Sequence, residues 1–289
     1  MYKRQALYGL SIDWFALNDP GWRFLTYIIS IFCINEVGFF FIVAIFYVFS
    51  NRYFCIQQTK YSNYLFVAVV AFLGFYSYGV NTIRAGVALS VLLIAMANLD
   101  RSKILFICIS VLAICIHKSV VIPVCAIIIA CYFDKPRYYV YIWLLCLVVS
   151  FVTDGKIKEY IVSFLGEEDM RISSYIGASE HAYYRVGFRW DFIAYSVFPI
   201  IIGLLQIEQS KLTDKVYRRL FNAYVIANAF WLLVISVPFS DRFVYLSWFL
   251  YPYVLLLPYV GKGNIKPDIK KATLLTIVIG GFNVVMNLL

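Results

Sequence analysis

Charge is what this chain lacks most. Only 14% of its 289 residues are Asp, Glu, Lys or Arg, while 63% are hydrophobic; soluble domains carry about 25% charged and about 45–50% apolar residues. The shortage runs along the whole length, which argues against one deep soluble core, and the mean hydropathy of +0.80 points to lipid as the surrounding medium. Phosphate-binding glycine loops are missing too. No P-loop and no GxGxxG before a helix can be found, which argues against a nucleotide-driven pump. Histidine is scarce, with two residues, and the seven cysteines (33, 55, 108, 115, 125, 131 and 146) fall mostly in apolar runs with no CxxC pair. A zinc site is therefore not expected, and the thiols read as small packing groups. Met1–Trp22 is mixed polar and aromatic and carries no apolar core of a secretory leader. The net charge of +9 comes from Lys and Arg that punctuate apolar runs. That distribution calls for a lipid bilayer as partner and not for nucleic acid.

What the chain does have is long hydrophobic runs. A membrane-crossing helix needs about 20 apolar residues at about 1.5 Å each. Runs bounded by polar breaks occur at 36–50, 62–79, 84–99, 104–116, 119–133, 138–152, 192–208, 220–236, 243–259 and 271–289. The expected fold is all-α, a polytopic transmembrane helical bundle of about ten spans. Its expected organisation is an external N-terminal segment at 1–22, a first transmembrane block at 23–152, a large periplasmic loop at 153–191 and a second block at 192–289. Ile28–Cys33 reads either as an extra turn of the first span or as a separate piece broken at Asn35-Glu36.

Orientation follows from the basic residues in short connections. Arg52 and Lys60, Arg101 and Lys103, Lys135 and Arg137, Lys211 to Arg219, and Lys262 to Lys271 supply 14 of the 25 Lys and Arg, and this set is assigned to the cytoplasm. The alternating set, including His117-Lys118, 153–191 and 236–242, then faces the periplasm. One long helix over 104–133, kinked at Pro123, would reverse that balance, so a hairpin is expected instead. Each arm of about 15 residues reaches only about 22 Å, so the turn at His117 should lie below the outer surface, lining a cavity. The same orientation starts the chain outside. Either Met1 is not the natural start, or Leu17–Cys33 enters the membrane.

The ionisable residues on the expected external side are the candidates for chemistry. Arg84 stands at the start of an apolar helix, where backbone donors and the positive dipole end favour an anion. The alternatives for Arg84 are snorkelling to headgroups or pairing with a local carboxylate. His117-Lys118-Ser119 interrupts thirty otherwise apolar residues, and its imidazole reads either as a satisfied structural group or as a proton-transfer and phosphate-binding group. Asp241-Arg242 lies between two strong spans. It is either a self-neutralising interfacial pair, or Arg242 on phosphate with Asp241 accepting a sugar hydroxyl proton. The 153–191 loop gathers Glu167, Glu168, Asp169, Arg171, His181, Tyr183, Tyr184, Arg185, Arg189, Trp190 and Asp191. Carboxylates, arginines and rings suit a glycan, although a solvated loop without a site has the same composition.

Three short motifs in order resemble the EpsG-like branch of Wzy-type O-antigen and capsule polymerases. They are Asp19-Pro-Gly-Trp22, Asn81-Thr-Ile-Arg84-Ala-Gly-Val-Ala88 opening a span, and Ala113-Ile-Cys-Ile-His117-Lys-Ser119 closing one, with the late Asp241-Arg242 fitting as well. The resemblance covers about residues 19–260. The family usually has a further N-terminal span and a Gly-x-Asp segment before the Pro-Gly motif, and neither is clear here. The resemblance implies a metal-independent, cofactor-free GT-C-type glycosyltransferase of the bacterial inner membrane, working at the periplasmic face. It would move a growing glycan from undecaprenyl pyrophosphate onto the non-reducing end of a new lipid-linked repeat unit, with a chain-length regulator protein as a partner. On that basis Arg84 and Arg242 are assigned to pyrophosphate, Lys118 to substrate binding, and His117 to phosphate contact or proton transfer. Asp241 is assigned as general base, and Arg185 and Arg189 to glycan or lipid phosphate. The rival readings are a membrane sugar O-acyltransferase, which would need a polar donor entrance on the cytoplasmic side, and a lipid-glycan flippase, which would need internal repeats. Neither feature is visible.

Overall fold

The computed structural model describes residues 19–32, 35–153, 188–209, 214–236, 240–261 and 267–288, and among these it contains helices and no strand. In chain order the helices begin with α1 (Pro20–Phe32), α2 (Glu36–Gln58), α3 (Ser62–Ala71), α4 (Leu73–Val80), α5 (Ile83–Asn98) and α6 (Lys103–Ile116). After a 3₁₀ turn at Lys118–Val120 come α7 (Val121–Tyr132), α8 (Pro136–Val152), α9 (Trp190–Gln209), α10 (Lys215–Leu233), α11 (Asp241–Trp248), α12 (Tyr251–Val260) and α13 (Ile269–Leu288). Glu36–Gln58, Trp190–Glu208 and Asp241–Val260 are long and apolar enough to cross a membrane, and the bent pair α3–α4 makes a fourth if counted as one span. Ile83–Asn98, Lys103–Ile116, Lys118–Tyr132 and Pro136–Val152 are shorter apolar helices of 10–17 residues. Large apolar side chains stay on the outside: Phe41, Phe49, Ile104, Ile107, Leu145 and Val148 are all exposed. Soluble monomers rarely expose contiguous apolar patches beyond a few hundred Å².

The chain divides into two compact units, one of Met1–Val124 with Tyr259–Leu289 and one of Cys125–Pro258. In the first, α5 packs on α2, α4 and α6, α1 packs on α6, and α13 packs on α3 and α4. Helix α1 is absent from the apolar runs expected above because it is 13 residues long and stops before Asn35. Asn35 caps α2, its side chain accepting the Gly38 N–H at 2.9 Å. Ile28 to Phe32 is thus a separate helix and not an extra turn of the first span. Helix α2 runs on to Gln58, so Arg52, expected in a connection, is helical and donates to Asn63 Oδ1 at 2.6 Å. Its 23 residues reach about 34 Å.

The expected run 62–79 is helical but broken at Phe72. The Phe75 N–H bonds the Phe72 carbonyl at 3.0 Å, which leaves the Ala71 carbonyl without its helical partner. Asn283 of α13 donates its side-chain amide to that carbonyl at 3.1 Å. A broken helix in an apolar medium needs such a substitute donor. Glycine at 86 is required by closeness: a Cβ there would stand 2.4 Å from the Tyr78 carbonyl oxygen.

In the second unit α10 packs on α8, α9 and α11. Its centre is a fully buried polar cluster. Asn228 donates to Ser196 Oγ at 3.1 Å and to Ser247 Oγ at 2.9 Å, and accepts the Trp143 indole N–H at 2.8 Å. Trp248 donates to Ser196 Oγ at 2.8 Å, so one amide and two hydroxyls tie α8, α9, α10 and α11 together. Buried polar groups are tolerated when each has a partner. Replacing Asn228 by Ala should therefore destabilise by on the order of 1–3 kcal/mol for each buried group it orphans. Thermal unfolding of the purified protein in detergent would register this as a lowered midpoint.

Candidate functional site

Asp19 opens α1 with φ 60, the one non-glycine residue at positive φ among the described residues. A left-handed residue costs roughly 1–2 kcal/mol, and Asp and Asn tolerate it better than most. Pro20 follows as the first helical residue, where its fixed φ suits a helix start. The Asp19 carbonyl accepts the N–H groups of Trp22 and Arg23 at 3.2 and 3.4 Å. Asp19 as a whole is 1% exposed.

Three groups distant in sequence converge on its carboxylate. Arg84 Nη1 donates to Oδ2 at 3.0 Å, the backbone N–H of Lys118 donates to Oδ1 at 3.1 Å, and His117 Nδ1 stands 3.7 Å from Oδ2. Local structure brings each one in. Gly21 lets α1 lie directly on α6, since a Cβ there would be 2.8 Å from the Cys115 carbonyl carbon and 2.9 Å from the Ile116 nitrogen. Helix α6 closes with the His117 N–H on the Ala113 carbonyl at 3.0 Å, and His117 is extended at φ −152 and ψ 109, so the Lys118 N–H leaves the helix and turns to Asp19. Gly86, pressed on the Tyr78 carbonyl, seats the first turn of α5 and with it Arg84.

The result is a buried carboxylate beneath partly open basic groups. The Arg84 side chain is 44% exposed and that of His117 is 19% exposed. Arg84 commits one nitrogen to Asp19, and its exposed remainder can meet an anion. His117 Nδ1 is buried and makes no hydrogen bond. An aspartate this enclosed and this heavily bonded holds its neighbours in place, while the exposed groups are the ones that can touch a substrate.

The second unit holds another charged group. Arg189 lies across the Phe192 ring, 3.6 Å from its centre, and binds Asp191 through Nε and Nη2 at 2.9 and 2.6 Å. Asp241 and Arg242 are the first residues of α11. Beside Arg189, the rings of Phe151, Phe188 and Trp190 cluster, with centroids 4.6–5.9 Å apart. Among the described residues no group of three or more His, Cys, Asp or Glu could hold a metal ion.

Of the residues singled out in the sequence, Arg84, His117 and Lys118 meet in the first unit, and Arg189, Asp241 and Arg242 lie in the second. Arg185 lies outside the described residues, as do Glu167, Glu168, Asp169, Arg171, His181, Tyr183 and Tyr184. The open choice for Arg84 resolves to include a carboxylate partner. That partner, Asp19, was missed as a site residue. The signal was an acid directly before Pro-Gly at the start of a helix, but nothing in the sequence links it to positions 65 and 99 residues away.

The EpsG family model matches residues 1–288. The chain belongs to the EpsG family. This is a family of Wzy-like polysaccharide polymerases, and with its apolar helices this EpsG-family chain is a polymerase-like membrane protein of glycosyltransferase type. No curated protein and no solved structure matches it. The close approach of α1 to α6 gives a direct test of the site's scaffold. Gly21→Ala should cost about 1–3 kcal/mol by overpacking and lower polymer output, whereas Gly281→Ala, whose Cβ would meet nothing within 4 Å, should lower neither stability nor output. Thermal midpoints and polymer yield in a polymerase-deficient strain would separate the two.

Proposed function

We propose that this EpsG-family chain polymerises lipid-linked oligosaccharide repeat units, with Arg84 receiving the diphosphate of the donor and His117 receiving the acceptor proton. The single observation that carries this reading is the meeting of Arg84, His117 and Lys118 around the buried Asp19 carboxylate, with the guanidinium and imidazole partly open. In the reaction, the bond between the donor sugar's anomeric carbon and the diphosphate oxygen breaks, and its electron pair leaves with the diphosphate. A hydroxyl of the incoming repeat unit forms the new bond to that carbon, and its proton passes to the imidazole. Charge builds up on the leaving diphosphate, so a guanidinium held in place beforehand by Asp19 stabilises the departure. A positioned imidazole contributes as general base.

The donor in this reading is undecaprenyl pyrophosphate carrying the growing glycan, and the site faces the periplasm of a bacterial inner membrane within a GT-C-like bundle of about ten spans. Support for the orientation comes from the basic connections assigned to the cytoplasm. Support for the depth of the site comes from the short helices, since α6, with 14 residues, reaches only about 21 Å before His117. Beside the second unit's Arg189, the exposed Trp190 and Phe151 rings offer flat faces of the kind sugars stack on.

Arg84→Ala and His117→Ala should each reduce elongation about 100-fold or more, and Arg84→Lys should restore part of it. The readout is glycan chain length in a polymerase-deficient strain, with membrane levels of each variant matched by immunoblot. Wild-type chain lengths in both alanine variants would overturn the assignment, and loss of repeat-unit translocation in place of elongation would identify a flippase.

A further inference from the structure

Resting on the polymerase reading, we infer that Asp19 is a positioning residue that couples diphosphate capture to the readiness of the base. One oxygen of its carboxylate lies between two basic groups. Oδ2 accepts Arg84 Nη1 at 3.0 Å and lies 3.7 Å from His117 Nδ1. The first contact is a hydrogen bond. The second falls short by roughly one ångström, and it leaves Nδ1 buried without a hydrogen-bond partner. The other oxygen, Oδ1, is held by the Lys118 backbone N–H at 3.1 Å, which anchors the carboxylate while Oδ2 changes partner.

An anionic substrate at the exposed face of Arg84 draws the guanidinium outward and loosens its hold on Oδ2. Oδ2, relieved of that bond, then accepts the Nδ1–H of His117. An imidazole that donates from Nδ1 keeps its free lone pair on Nε2, which is the form able to accept a proton. Binding of the diphosphate therefore sets the tautomer of the base. The enclosure of Asp19, at 1% exposure, keeps water from taking either role, and its φ of 60 persists because the start of α5 and the junction after α6 hold its carboxylate.

The test uses full-length protein in lipid nanodiscs, ¹⁵N-labelled at histidine, with inorganic pyrophosphate as the probe. His117 and His181 are the chain's 2 histidines, so a His181→Ala background leaves one imidazole to observe. Pyrophosphate is expected to move His117 towards the Nδ1–H tautomer, and Asp19→Asn is expected to abolish that movement. Asn is the chosen replacement because it also tolerates positive φ and keeps a carbonyl for the Lys118 N–H. Elongation should fall at least 10-fold in Asp19→Asn, and Asp19→Asn combined with His117→Ala should be no slower than His117→Ala alone. An unchanged tautomer in the parent protein, or the same shift in Asp19→Asn, overturns the coupling. If Arg84→Ala and His117→Ala elongate normally, the polymerase assignment fails first. If those two are inactive while Asp19→Asn elongates at the parent rate, only the role of Asp19 is lost.

Discussion

A carboxylate cannot be taken out of water cheaply, and the burial of Asp19 is the constraint around which the first unit is organised. An unpaired buried charge costs several kcal/mol even after relaxation, so its partners must be delivered to it. Three chain segments meet there: the start of α1 carries the carboxylate, and the start of α5 and the junction after α6 bring its partners. Each segment has its own steric condition. The first needs Gly21 against the α6 backbone, and the second needs Gly86 against the Tyr78 carbonyl. The third needs an extended residue at 117. A residue tolerant of positive φ at position 19 completes the set.

The second unit meets the same difficulty, polarity inside an apolar interior, with neutral groups. Asn228, Ser196, Ser247 and two indoles satisfy one another without any net charge, and tie four helices together. A neutral network of this kind has no ionic desolvation to offset and leaves no open group for a ligand. Among its charges, Asp191 and Asp241 stand in the first turns of α9 and α11, where a negative group is favoured by the helix dipole. One unit buries a charge and presents basic groups above it. The other keeps its interior network neutral.

Helix breaks follow the same logic. At Phe72 the orphaned carbonyl is recovered by Asn283, and at His117 the released N–H is recovered by Asp19. In an apolar medium a chain can leave the helix only where another group completes its backbone bonds. The break at His117 is therefore inseparable from the site it helps to build.

Much of this was legible in the sequence because it depends on local composition. Apolar runs between charged breaks located most of the helices, and the polar triplet at His117 marked the end of one. Arg84 and Asp241-Arg242 stood out as charges at the edges of apolar segments. The order of short motifs gave a resemblance to the family whose model spans residues 1–288. The ends and interruptions of helices were less visible, since Arg52 continues a helix where its charge suggested a loop, and Phe72 breaks one where nothing polar gave warning. What only the tertiary structure decided was partnership. Asp19 stands in the sequence only as part of a short motif, and it becomes the centre of a site because two glycines allow backbones to meet. Hydropathy is a property of neighbouring residues and can be read along the chain, whereas the pairing of a buried charge depends on contacts between residues far apart in it.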